Sequence, residues 1–141
     1  MSSSYNFIDH TADIAVEVTA DSIEELFIAS AQAFKEAVVE PDSGSVKGTF
    51  NLVLDSHLLE SLLVNFLNEL NFRLISKKKI FNNINKIKVY QIDDNWNLEC
   101  LVSENDVDED KIKTEIKSVT YHQMDLRKTK QGFKTLIVFD I

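Results

Sequence analysis

The chain has 141 residues, 44% of them hydrophobic, with only three glycines and one proline, which fits one domain with a real core and excludes a disordered or linker-rich chain. A net charge of −8 argues against direct, high-affinity nucleic-acid binding, which draws on lysine and arginine, and suits a protein that meets cations or basic surfaces. The single cysteine, Cys100, excludes an internal disulfide and a multi-cysteine zinc site, and no apolar run approaches the length of a membrane span.

The opening residues, Met1-Ser2-Ser3-Ser4-Tyr5, have neither the basic start nor the apolar core of a signal peptide, so a reducing, cytoplasmic setting is expected. Residues 5–8 read as a short strand. Asp9-His10-Thr11-Ala12-Asp13 then packs two carboxylates, an imidazole and a hydroxyl into a bend, which is either turn chemistry or a site. Ile14, Val16, Val18 and Ala20 alternate with smaller or polar residues, the pattern of a half-buried strand.

Ser22-Ile23-Glu24-Glu25 has the form of a capping box and opens a helix expected to reach about Val39. Its stripe of Ile23, Leu26, Phe27, Phe34 and Val38 faces a core. Pro41-Asp42-Ser43-Gly44 ends it. Thr49 to Leu54 is the next strand. Asp55 or Ser56 is the expected cap of a second helix running to about Ile75, whose broad leucine face implies deep burial. Asn65, Asn68, Glu69 and Asn71 form its polar complement, read as a solvated face with partner contact as the alternative. Lys77-Lys78-Lys79 is read as cations complementing the negative helix end, rather than as an RNA contact.

Residues 80–102 alternate on either side of Asp93-Asp94-Asn95 and read as a hairpin, with Cys100 a small, inert core residue. The acidic run 104–110 lacks the glycine and closing glutamate of an EF-hand and is expected to be a solvated loop. Glu115 to Leu126 reads as one long strand containing Tyr121-His122. A turn with Gly132 follows, then a last strand, Phe133 to Phe139, whose continuous apolar run implies a central position. The order gives an α+β domain spanning 1–141, with two helices packed on a mixed, mostly antiparallel sheet. The chain stops at Asp140-Ile141, placing a side-chain carboxylate beside a terminal one. Two clusters of oxygen ligands at strand ends could make a hard-cation site if the fold brings them together.

Four pieces in order resemble the archease family: Asp9-His10-Thr11-Ala12-Asp13-Ile14, the helix start Asp21-Ser22-Ile23-Glu24-Glu25-Leu26-Phe27, Leu62-Leu63-Val64-Asn65-Phe66-Leu67-Asn68-Glu69-Leu70, and Glu115 to His122 with the terminal Val138-Phe139-Asp140-Ile141. The chain departs from the family pattern at Ala15 and Ser103, where glycine is usual, and at Asp110, where histidine is common. The resemblance implies a small cytoplasmic protein that activates an RtcB-type RNA ligase in tRNA splicing. It would promote ligase guanylylation and multiple turnover without catalysing a reaction itself. It also implies a divalent cation (Ca²⁺, or Mg²⁺/Mn²⁺) held by Asp13, Asp140 and the terminal carboxylate of Ile141. His10 is then either a donor orienting a ligand carboxylate or a structural turn residue, and Asp9 is the weaker ligand candidate. Two other readings stand beside it: a chaperone-like modulator of a tRNA methyltransferase, and a stand-alone metal-dependent hydrolase with His10 as base.

Overall fold

Apolar residues at alternate positions line the inner face of two paired strands, Asp13–Ala20 and Gly132–Asp140. The computed structural model describes residues 2–8, 13–41, 46–120 and 124–141. Strands β1 (Ser3–Ile8) and β2 (Asp13–Ala20) precede helix α1 (Ile23–Val38). Strand β3 (Gly48–Ser56) leads to α2 (Leu59–Lys77), then β4 (Lys79–Ile92) and β5 (Asn95–Asp106) form a hairpin. Short β6 (Ser118–Thr120) and β7 (Arg127–Thr129) precede the final β8 (Gly132–Asp140). The strands divide between two sheets, β1-β2-β8-β6 with β7 also on β8, and β3-β5-β4, and every described pairing is antiparallel. The α+β class and the antiparallel pairing are as expected; the two-sheet division is not visible in the strand pattern. Both helices touch strands of both sheets. The core therefore lies between them, with Phe27 stacked near Phe66 at 5.6 Å and Phe34 near Phe139 at 6.2 Å.

Ser22 caps α1, its hydroxyl accepting from the Glu25 N–H at 3.1 Å, as the capping pattern predicts. The cap expected for α2 is displaced. Asp55 and Ser56 belong to β3, where they face Asn97 and Trp96 on β5, and the helix begins after Leu58 with no side-chain cap. Long strand β5 captures those residues before the helix can use them. At the other end of α2, Lys78 takes the left-handed conformation (φ 54°) and its ammonium bonds the Ile75 carbonyl at 3.2 Å, so the basic run does complement the helix end. Gly132 is required in the turn before β8. Its φ is +134°, and a Cβ there would stand 2.1 Å from the Ala20 carbonyl oxygen.

Three further expectations change. The acidic run is not a solvated loop at its start. Glu104 is 5% exposed and accepts from two of the Arg73 nitrogens, Nε at 2.8 Å and Nη2 at 2.5 Å. Arg73 also lies over the Phe50 ring, 3.7 Å from its centroid. The asparagine row of α2 is not simply a solvated face. Asn68 Oδ1 accepts from the Val119 N–H at 2.9 Å, and its amide donates back to the Val119 carbonyl at 3.4 Å. The Asn71 amide donates to the Ile116 carbonyl at 2.7 Å. Lastly, the long strand expected over 115–126 is strand only at Ser118–Thr120 among the described residues, 121–123 lying outside them, and the Ile116 carbonyl is taken by the Asn71 amide instead of a neighbouring strand. Cys100 is buried, and burial pushes its thiol up to about 11 from 9.0, in keeping with the inert reading.

Candidate metal centre at the end of β2 and β8

Strand β8 is the hub of the larger sheet, with β2 along one side and β6 and β7 along the other. On β2 and β8 the residues facing the helices pair as Ile14 with Phe139, Val16 with Ile137 and Val18 with Thr135. Period two then places Asp13, Ala15, Glu17 and Asp140, Val138, Leu136 on the opposite face. The hydrophobic alternation of the two strands thus fixes where the carboxylates point.

Asp13 and Asp140 are direct partners in the β2–β8 register. Side chains at directly opposed antiparallel positions stand with Cβ atoms about 4.5–5.5 Å apart, and like charges there are destabilising. Ser118 of β6 is the partner of Asp140 on its other side. One row therefore crosses three strands as aspartate, aspartate, serine. The Lys117 N–H donates to the Asp140 carbonyl at 2.8 Å, extending the backbone pairing past the end of β6. Asn68, by holding both backbone groups of Val119, anchors β6 against α2 and so fixes the third member of the row.

Two of the three expected ligand residues, Asp13 and Asp140, are brought face to face from opposite ends of the sequence, and Ile141 follows directly, 40% exposed. Asp9, His10 and His122 lie outside the described residues. Among the described residues no three His, Cys, Asp or Glu side chains come together as metal ligands. The donor chemistry of the two aspartates, all oxygen and anionic, suits a hard cation.

Sequence reading gave Ser118 no role, and it set Asn68 and Asn71 on a solvated face. Their signal was present. Two asparagines three residues apart, flanking a leucine-rich face, sit at the boundary where a helix meets another segment, and their amides can replace missing strand partners.

Farther along the same face, a cleft of ≈ 410 Å³ is lined by Ile8, Glu17, Asp125, Arg127, Lys134 and Leu136 among others. Its charges are matched within the chain, Glu17 to Lys134 at 3.4 Å and Asp125 to Arg127 at 2.6 Å.

The model of the Archease protein family matches residues 5–141. A protein archease from Methanosarcina mazei is 30% identical over 139 residues, covering 97% of this chain and 95% of the relative. One from Pyrococcus abyssi is 31% identical over 126 residues, covering 88% of each. The solution structure of Methanobacterium thermoautotrophicum protein 1598 superposes with a TM-score of 0.78 at 24% identity, covering 97% of this chain and 98% of that one, a likeness of fold. A Thermotoga maritima crystal structure, described as an archease and possible chaperone, gives a TM-score of 0.62 at 26% identity over 95% and 94% of the two chains.

Proposed function

The chain belongs to the archease family, and from that premise we propose that it activates an RtcB-type RNA ligase in tRNA splicing, promoting guanylylation of the ligase and its repeated turnover. The observation that supports this reading is the register that sets Asp13 directly against Asp140. In this reading the two aspartates, with the carboxylate of Ile141, hold a divalent cation, Ca²⁺, Mg²⁺ or Mn²⁺. The bound ion supplies positive charge that anionic groups of a nucleotide or of the partner can share. The chain's own residues hold and orient; they carry out no bond-breaking step. Backbone pairing of β2 with β8, and of Ser118 and Lys117 with Asp140, sets the carboxylates before an ion arrives, so little ordering is needed on binding. An acidic chain of net charge −8 is also steered toward the basic surroundings of a nucleic-acid-processing enzyme.

Calorimetric titration with Ca²⁺, Mg²⁺ and Mn²⁺ tests the site apart from the partner. Wild type should bind one ion. Asp140→Ala, and a chain with an extra residue after Ile141, should bind more weakly. Unchanged binding in both removes these ligands from the account. The second reading, a chaperone-like modulator of a tRNA methyltransferase, draws on exposed apolar side chains such as Phe72, 54% exposed on α2. Suppressed aggregation of that enzyme, with no effect on ligation, would favour it.

A further inference from the structure

The sheet edges differ in how they are protected. Among the described residues β6 and β7 have three residues each. β4 carries Lys79, Lys86 and Lys88 and is broken by two register shifts, and both bulges and lysines keep an edge from pairing. β3 has neither device. Its nine residues run along β5 without a shift, and among the described residues no strand lies on its other side. Val53 is 71% exposed, and Val46 at 50% and Leu58 at 58% stand two residues beyond either end of the strand. Lys47, Thr49, Asn51, Val53 and Asp55 are all exposed and alternate with the more buried Phe50, Leu52 and Leu54.

We propose that β3 pairs antiparallel with β3 of a second copy of this chain, with Asn51 on the two-fold axis. Residues equidistant from Asn51 then oppose one another. Lys47 meets Asp55 of the second copy, Thr49 meets Val53, and the Asn51 amide meets its own copy. Symmetry repeats the first two pairs. The exposed row is therefore complementary to itself: opposite charges twice, β-branched residues twice, and like charges nowhere. On the helix-covered face Phe50 opposes Leu52. Moving the axis to Leu52 or Val53 separates Lys47 from Asp55, so charge selects the register. The inference is independent of the metal centre, which lies on the other sheet.

Sedimentation equilibrium of the full chain over a concentration series tests this. Wild type should show a reversible monomer–dimer equilibrium. Asp55→Lys or Lys47→Glu turns two attractive pairs into repulsive ones and should weaken the dimer about tenfold. The double variant Lys47→Glu/Asp55→Lys should recover to within about threefold of wild type. Circular dichroism of each variant checks that these exposed substitutions leave the fold intact. A monomer at every concentration overturns the proposal, as does a double variant no tighter than the singles. Protection of β3 amides from hydrogen exchange only after adding the RNA ligase assigns the edge to another partner and overturns it as well.

Discussion

Two pairs of charged side chains set opposite parts of this molecule apart. Arg73 and Glu104 bring opposite charges together from α2 and β5, with two short hydrogen bonds and the Phe50 ring beneath the guanidinium. Asp13 and Asp140 bring like charges together from β2 and β8. The first pair joins a helix to a sheet. Its hydrogen bonds hold the guanidinium above its ordinary value, against the opposing pull of burial. The second pair sets two carboxylates at directly opposed positions of one sheet. Local rules of stability are most often broken where a protein does something besides fold. The comparison therefore sets a residue pair that serves the fold against one proposed to serve function, and each can be broken independently.

The largest effect on stability is expected at the first pair. Arg73→Ala leaves Glu104, with a side chain only 7% exposed, as an uncompensated charge, and urea denaturation should show a loss of about 3–5 kcal/mol. A loss near zero would mean that Glu104 finds water or another partner, and the contrast would fail. Next comes the anchor of β6. Asn68→Ala removes both contacts to the Val119 backbone and should cost about 1–3 kcal/mol. Hydrogen exchange should then rise first at residues 118–120, beside Asp140. At the second pair the sign reverses. Asp140→Asn removes a like-charge contact, so stability without added cation should stay level or rise by up to about 1 kcal/mol, while ligase stimulation is lost. A marked destabilisation would show that Asp140 serves the fold after all.

The smallest effect concerns Cys100. With its thiol pushed from 9.0 to about 11, it carries about a hundredfold less thiolate near neutral pH than an ordinary cysteine, and alkylation should be slower to match. The raised value gives a stability contribution present below the unfolded value and lost as pH climbs through about 11. Cys100→Ala should flatten that alkaline limb of the stability profile.

Local patterns were legible, and long-range partners were not. Ser22 caps α1 because a serine three residues before a glutamate can do so with no help from elsewhere. Period two gave β2, β8 and the β4–β5 hairpin. Asp55 and Ser56 look like a helix cap because nothing local reveals that β5 extends far enough to pair with them. Glu104 looks solvated because its partner lies 31 residues away on another element. Likewise, Ile116 reads as strand until Asn71 takes its carbonyl. The two aspartates of the candidate site are a different case. They are 127 positions apart, yet motif resemblance named both, and the register then placed them together. That resemblance carried more than the residues alone could, since either aspartate by itself reads as a strand end.

The central claim is that the Asp13–Asp140 pair serves an RNA ligase. Single-turnover guanylylation of a cognate RtcB-type ligase, with and without this protein, tests it most directly when wild type is set against Asp13→Ala. The account predicts strong stimulation by wild type and none by a folded Asp13→Ala variant. Equal stimulation by the two proteins, or none by wild type, would contradict it.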